Sequence, residues 1–289
     1  MSFLGSALAR AVAIACALTA AAAAYSFNAI VIPLSVCDYP PSVTNPNMAC
    51  DFEQWSQVAD QWLAANQPGL SRFYAHRIYV LPRGIKSCTW GGMGWVGCSS
   101  SGAVCKVWII GEASLEPMMY FHELGHNLGM NHANTPNLEY GDSSDAMGFC
   151  CGVRCFNAAH LDQLGWAKAV HELDIAALPP SQWHAVDLPA SSSNGTAPPP
   201  FIKVTSPTEV VYAQLRTKHG HDIGIPATGV YLYNTPPLAD GHTQQYGWLE
   251  SARQLFRAGS GLQIKLAQDL SLQQQQQQVR LLLCTGMCY

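Results

Sequence analysis

Hydrophobic and polar positions follow two different periods along the first half of the chain. Residues 27–34, 77–81 and 104–110 are short apolar runs, rich in β-branched and aromatic residues and bounded by turn residues, which predicts strands. Residues 51–66 instead space tryptophans and alanines at helical intervals behind Asp51, a residue type that caps helices. Strands that alternate with a helix predict a mixed α+β or α/β fold with a twisted sheet.

The pattern changes after Trp166. Residues 201–204, 210–215 and 229–232 are short apolar runs separated by segments rich in proline, serine and glycine, which predicts further strands. We therefore place a domain boundary near residue 168, with a β-rich C-terminal region at residues 168–289.

Residues 1–24 have the pattern of a secretory signal peptide. A single positive charge, Arg10, precedes an apolar, alanine-rich stretch that ends in small residues. A fragmentary start and a membrane anchor are the alternatives, although about 14 apolar residues are few for a membrane span. The sequon at Asn194 also fits export. We expect a secreted protein without stable membrane insertion, whose first domain occupies residues 25–167.

Composition and charge exclude two classes of protein. The chain is 48% hydrophobic and 12% charged, whereas a wholly disordered chain has few apolar residues and many charges. The net charge of -4, without a basic stripe, argues against a nucleic-acid-binding protein. The glutamine tract at residues 273–278 predicts a flexible connection.

The cysteines indicate an oxidising compartment. Of the 11 cysteines, Cys16 lies in the signal segment, and the even number that remains predicts up to five disulfides with undetermined pairing. Cys150, Cys151 and Cys155 could instead hold zinc as thiolates, but the export signal favours disulfides. The glycine-rich residues 91–102 lack a phosphate-binding pattern, and we expect a disulfide-tied surface loop there.

Residues 121–132, FHELGHNLGMNH, contain the pattern HExxHxxGxxH. His122 and His126 are one helical turn apart and project to the same side, so both imidazoles can reach one ion. His132 would point away from them if the helix continued. Gly129 allows the chain to turn before it, because glycine adopts positive φ without penalty.

Three imidazoles predict a catalytic zinc site. They leave the fourth position of a tetrahedral ion open, whereas a structural zinc site is closed. Glu123, beside His122, would act as general base and then general acid for attack of a zinc-activated water on a peptide carbonyl. Copper and nickel also bind imidazole, but the open three-ligand arrangement favours zinc over Cu²⁺. The alternative is an amphipathic core helix with incidental histidines.

Further segments resemble the gametolysin family, the secreted matrix metalloproteases of green algae within the metzincins. Besides the zinc motif, these segments are residues 140–148 (YGDSSDAMG), 150–160 (CCGVRCFNAAH) and 164–166 (LGW). The resemblance implies a metzincin-like zincin catalytic domain with a twisted sheet and an active-site helix. It implies a zinc-dependent endopeptidase acting on proline-rich or hydroxyproline-rich glycoproteins of an extracellular matrix or cell wall. It also implies that Met147 belongs to the turn beneath the zinc. The chain departs from the family at Phe149, where members often have a tyrosine.

Two rival interpretations stay open: a catalytically silent extracellular binding protein that retains a metal, and a truncated family member. The other histidines carry less weight. His160 lies on a short predicted helix capped by Asn157, where hydrogen-bonded structure is the usual role. His219 and His221 favour a solvated turn, because two histidines without a third ligand rarely hold a metal.

Overall fold

The computed structural model describes residues 29–34, 49–97, 104–190, 199–236, 242–270 and 278–288. The predicted signal segment, the Asn194 sequon and all of the glutamine tract except Gln278 lie outside the described residues. Within the ranges described, no helix is both long and apolar enough to cross a membrane.

The first half contains a sheet whose four described strands have the order β1-β2-β4-β3. The strands β1 (Ala29–Pro33), β2 (His76–Val80) and β4 (Cys105–Ile109) are parallel, and β3 (Gly92–Gly94) is an antiparallel edge strand. The predicted strands at residues 77–81 and 104–110 are confirmed as β2 and β4. Residues 29–33 of the first predicted strand form β1.

In the described part of the connection from β1 to β2, the chain forms two helices. The predicted helix is confirmed as α1 (Phe52–Asn66), whose Asp51 cap accepts a hydrogen bond from the Gln54 backbone N–H at 3.4 Å. Helix α2 (Pro68–Phe73) starts at a proline, the residue that fits a first helical turn. α1 is tied to the sheet by its Asp60 carboxylate, which accepts from the Tyr79 hydroxyl at 2.5 Å.

The described strands of the β-rich second half lie in two sheets, and the larger sheet also contains a short strand from the first half. The larger sheet has the described order β5-β11-β10-β9-β8-β6, and the smaller has the order β12-β13-β14-β7. The strands of the larger sheet are β5 (Ala133–Asn134), β6 (Ala169–Asp174), β8 (Phe201–Thr205), β9 (Val210–Arg216), β10 (Gly229–Thr235) and β11 (Thr243–Leu249). Those of the smaller sheet are β7 (His184–Pro189), β12 (Leu255–Arg257), β13 (Leu262–Leu266) and β14 (Gln278–Thr285). The apolar runs predicted as strands are confirmed as β8, β9 and β10.

The two faces of the larger sheet bury different neighbours. Leu215 and Val230 point to the face that packs against the smaller sheet. Tyr212 and Tyr231 point to the opposite face, where they share an apolar core with Met147 and other residues of the first half. Residues on both sides of position 168 therefore contribute to one core. The division into domains at residues 25–167 and 168–289 stays a prediction.

The glycine-rich segment differs from its prediction. A disulfide-tied surface loop was expected over residues 91–102, but residues 92–94 form β3, and they pack against helix α3 (Pro117–Asn127). Residues 98–102 of this prediction lie outside the described residues. A Cβ on Gly94 would lie 2.5 Å from the backbone oxygen of Glu123 in α3. The missing side chains therefore allow this strand to approach the helix closely.

The prediction of disulfides is confirmed. Among the described residues, disulfides join Cys50 to Cys88, Cys150 to Cys151 and Cys284 to Cys288. Cys105 and Cys155 are also disulfide-bonded. The alternative of a thiolate zinc site at Cys150, Cys151 and Cys155 is therefore contradicted.

Candidate metal centre

Helix α3 supplies the first part of the site. It begins at Pro117 and presents a buried face that includes His122, Glu123 and His126. Phe121 stacks on Phe156 with ring centroids 4.4 Å apart, which anchors the helix to the core of the larger sheet. The two histidines are one turn apart and lie on the same side of the helix, with ring centroids 4.9 Å apart.

The chain reverses directly after this helix. α3 ends at Asn127, and Gly129 has a φ of +91°, in the left-handed region that favours glycine. The Gly129 N–H donates to the His126 carbonyl at 2.8 Å, and the Met130 N–H donates to the Gly125 carbonyl at 3.1 Å. These bonds satisfy carbonyls that a helix end leaves unpaired, and they send the chain back toward the site.

The reversal brings His132 to the two helical histidines. One ligand atom from each of His122, His126 and His132 lies within 4.8 Å of the other two. The His132 ring centroid is 5.6 Å from that of His122 and 4.9 Å from that of His126. Across the described part of the chain, no other group of three or more His, Cys, Asp or Glu residues has such spacing.

Each of the three rings is oriented by an oxygen outside the triad. The Nδ1 partners are the Ala146 carbonyl for His122 at 2.9 Å, the Met130 carbonyl for His126 at 2.8 Å and the Glu139 carboxylate for His132 at 2.6 Å. Carbonyl oxygens and an ionised carboxylate only accept hydrogen bonds, so Nδ1 carries the proton of each neutral ring. The lone pair of each Nε2 is then available to a metal ion, which is the usual arrangement of ligating histidines.

Burial keeps the two helical rings neutral. It lowers the pKa of His122 to about 4 and that of His126 also to about 4. The pKa of His132 is lowered by burial too, against the opposing effect of its hydrogen bond to Glu139. Neutral imidazole is the form that binds metal, so these ligands need not lose a proton near pH 7.

Glu123 lies between α3 and β3. It is 4% exposed, and burial raises its pKa to about 8. A cation beside the carboxylate would oppose this shift, because it favours the ionised form. A Cβ on Gly92 would lie 2.5 Å from Oε1 of Glu123, so the strand leaves just enough room for the carboxylate.

Met147 packs beneath the helix. Its side chain is fully buried, and the sulfur lies so close to Gly125 that a Cβ there would have no room. Met147 belongs to a segment that we call the 142–148 turn. The Met147 N–H donates to the Asp145 carboxylate at 2.5 Å, and the Ala146 carbonyl of the same turn accepts from His122. The thioether therefore supports the helix by packing.

Tyr140 is a neighbour of the three histidines that was not predicted from the sequence. Its ring centroid is 3.9 Å from that of His132, and its φ of 61° lies in the left-handed region. Burial, followed by the charges of Glu139 and Glu123, raises the pKa of Tyr140. Phe149 is 74% exposed. The aromatic ring beside the histidines is thus Tyr140, and the sequence signal for it was its place in the segment 140–148 that resembles the gametolysin family.

The remaining candidates lie elsewhere. His160 is buried on α4 (Ala158–Gln163), where Asn157 caps the helix and Asp145 accepts a hydrogen bond from Nδ1 at 3.0 Å. His219 and His221 are exposed at a short turn. These positions agree with the structural roles expected from the sequence.

Comparison with known proteins adds a family and one curated relative. The model of a family described as gametolysin peptidase M11 matches residues 7–218. A protein named Autolysin, from Chlamydomonas reinhardtii, is 39% identical over 147 residues, which cover 44% of this chain and 23% of that protein. The chain thus spans less than a quarter of this relative. No solved structure matches significantly.

Proposed function

Because the chain belongs to the gametolysin peptidase M11 family, we propose that it is a secreted zinc-dependent endopeptidase. The observation that carries this proposal is the convergence of His122, His126 and His132, with Glu123 directly after His122 on the buried face of α3. A metzincin-like arrangement, with Met147 in a turn beneath the helix, is part of the same proposal.

The donor set fits a zinc ion. The three histidines offer neutral nitrogen ligands, each with its Nδ1 hydrogen-bonded to an oxygen, and His132 is the most exposed of them. Three protein ligands are typical of catalytic zinc sites, which keep a position for water or substrate. Imidazole also binds copper, but the open site and the family favour zinc.

Glu123 is the proposed general base and acid. A zinc ion, when bound by the three histidines, supplies polarisation of the peptide carbonyl and a lower pKa for water. The Glu123 carboxylate accepts a proton from the attacking water and returns it to the departing amine. Burial beside Gly92 restricts the carboxylate to a narrow space between α3 and β3, which limits the positions it can adopt during the reaction.

The substrate class follows from the family and from the named relative. The relative's name, Autolysin, supports action on the producing organism's own wall or matrix, where proline-rich or hydroxyproline-rich glycoproteins would be the substrates. The disulfides among the described residues support an oxidising, extracellular location. The proposed partner is therefore a protein substrate rather than a nucleic acid or a lipid.

The test compares the unmodified chain with Glu123→Gln. Both proteins are assayed for zinc content and for cleavage of a denatured protein and of a proline-rich glycoprotein, with and without a chelator. Glu53→Gln, an exposed change on α1, is the control. We expect Glu123→Gln to retain zinc and to lose about 100-fold or more of the cleavage rate, because the proton acceptor is removed.

Two outcomes would contradict the proposal. Undiminished cleavage by Glu123→Gln would remove this carboxylate from the mechanism. Zinc binding without any cleavage by the unmodified chain would favour a catalytically silent binding protein instead. Relative rates on the two substrates decide between a general protease and a wall-directed one.

A further inference from the structure

A cluster of buried polar side chains lies between the 142–148 turn and the larger sheet. The proposed chemistry does not use it. Its fully buried members are Asp142, Ser144, Asp145, Asn157, His160 and Arg216, each at 0% exposure. Burying charged groups is costly unless each is paired and hydrogen-bonded, so this cluster marks a place where precise geometry is maintained.

Arg216, on β9, has an acceptor for each of its five N–H donors. Nη1 donates to the Ser144 carbonyl at 2.5 Å and to the Tyr233 hydroxyl at 3.2 Å. Nη2 donates to the Cys155 carbonyl at 3.2 Å, and the Asp222 carboxylate accepts from Nη2 at 2.5 Å and from Nε at 3.0 Å. A rigid guanidinium that is satisfied in this way holds the Ser144 carbonyl in one place.

The same turn contains the carbonyl group that contacts the first histidine, His122. One oxygen of Asp145 accepts from the Met147 N–H at 2.5 Å, and the other accepts from the Asn157 N–H at 2.5 Å. The backbone is therefore held on both sides of Ala146. The Ala146 carbonyl accepts from Nδ1 of His122, so the turn sets the orientation of that ring and of its Nε2.

Strand β11 bonds to the same turn and pairs with the residue that follows the third histidine. Gln245 donates to the Ser144 hydroxyl at 3.1 Å, which adds a second hold on the turn. Thr243 pairs in parallel register with Ala133 of β5. Ala133 directly follows His132, so the pairing of β5 with β11 fixes the segment that carries this histidine.

We propose that Arg216 is a positioning residue for the metal site, and that the larger sheet is the frame that holds His122 and His132 in place. The proposal rests on the proposed function, because it assumes that these histidines bind zinc. In this proposal, the β-rich half supports the metal site through a series of contacts. Arg216 bonds to Ser144, the 142–148 turn leads from Ser144 to Ala146, and Ala146 bonds to His122.

A role in fold stability alone predicts something different. In that case, any equally destabilising change in the same strand would affect zinc binding equally. Leu215 offers the matched comparison, since it neighbours Arg216 on β9 but points to the opposite face, into the core shared with the smaller sheet. Leu215→Ala removes core packing without touching the 142–148 turn.

The experiment measures zinc affinity by competition with a chromophoric chelator, using the full chain. Arg216→Lys keeps the charge but has only three donors, and Tyr233→Phe removes one hydroxyl that bonds to both Arg216 and Ser144. Circular dichroism first identifies a temperature at which each metal-free variant is folded. We expect Arg216→Lys to weaken zinc binding by about tenfold or more, Tyr233→Phe to weaken it less, and Leu215→Ala to change it by less than about twofold.

Equal zinc affinities for Arg216→Lys and Leu215→Ala would overturn the positioning role. If Arg216→Lys does not fold, the comparison of Tyr233→Phe with Leu215→Ala decides in the same way. If the wild-type chain binds zinc and cleaves protein, but all variants have the same zinc affinity, only the positioning role of Arg216 is contradicted. A wild-type chain that binds no zinc contradicts the proposed function and this inference together.

Discussion

At the scale of single residues, the oxygens behind the histidines define the site as much as the rings do. An Nδ1–H that donates to a carbonyl cannot rotate away without leaving that carbonyl unpaired in a buried place. The ring of His126, for example, is held by the Met130 carbonyl within the helix-ending reversal. The same bonds select the tautomer, so each Nε2 is prepared for a metal ligand role.

Gly92 offers a direct test of the space around Glu123. In Gly92→Ala, the new Cβ would displace the Glu123 carboxylate, the far end of a side chain that is otherwise enclosed. We expect kcat to fall by about 10-fold to 100-fold, because a displacement of roughly 1 Å is that costly for a catalytic group. Zinc affinity should be unchanged, since the three atoms nearest to the new methyl all belong to Glu123.

Gly69→Ala is the control, because a Cβ there meets no atom within 4 Å. Steady-state kinetics and zinc titration on both variants provide the measurement. Wild-type kcat in Gly92→Ala would show that Glu123 is not held by this strand. A weaker zinc affinity in Gly92→Ala would instead show that the substitution disturbs the histidine ligands.

The ligand spacing could be predicted from the sequence because it depends on local geometry. His122 and His126 are separated by one helical turn, and Gly129 marks the place where the helix ends. Glu139 and Tyr140 could not be predicted, because their approach to His132 depends on a reversal between residues 132 and 139 that no periodicity encodes. The metal ligands could therefore be predicted from local spacing, whereas the residues that contact His132 could not.

At the scale of elements, the end of α3 decides where the third histidine lies. Gly129→Ala places a Cβ in open space, so its cost comes from the backbone alone. The left-handed φ should destabilise the variant by about 1–2 kcal/mol in chemical denaturation. Gly69→Ala, inside α2, should be neutral or stabilising by up to about 1 kcal/mol. Equal effects in the two variants would contradict the assigned role of the turn.

Strands with strong side-chain preferences were predictable, but β3 was not. The residues of β2 and β4 are β-branched or aromatic in large part and are buried, so their propensity and pattern agree. β3 consists of Gly92, Met93 and Gly94, a composition that disfavours strands on its own. β3 forms because its backbone pairs with that of β4, and because its glycines allow it to lie close to α3.

At the scale of the whole molecule, one sheet is shared by both halves of the chain. The apolar positions of β9 alternate between the two faces, and each face buries a different partner. The strand patterns were readable along the chain, but the pairing of β5 with β11 joins residues more than 100 positions apart. Such a long-range register has no local signal in the sequence, which explains why the contribution of the β-rich half to the site was not predicted.

Glu209 links several strands of this second half and supports a pH prediction. Its carboxylate accepts from the Ser260 N–H at 2.6 Å, and from Asn234 and the Tyr246 hydroxyl at 3.0 Å each. Burial raises the pKa of Glu209, but these hydrogen bonds outweigh it and hold the pKa below the ordinary value of 4.5. As the pH falls, Glu209 is therefore protonated at a higher pH in the unfolded chain than in the folded chain. The stability that its ionised carboxylate contributes is lost progressively below about pH 4.5.

Glu209→Gln should be less stable than the wild type by about 1–3 kcal/mol at pH 7, because an amide cannot accept all three bonds. The difference should shrink as the pH falls from 4.5 to 3. Urea denaturation at several pH values measures it, with Glu53→Gln as an exposed control that should show a small and constant difference. A gap that stays constant in Glu209→Gln would contradict the assigned ionisation.

X-ray absorption at the zinc edge tests the central claim most directly. For the purified chain loaded with one equivalent of zinc, we predict three imidazole nitrogens at about 2.0–2.1 Å and one further light-atom ligand. A sulfur ligand at about 2.3 Å, or fewer than three imidazoles, would contradict the assignment of His122, His126 and His132 as the metal ligands.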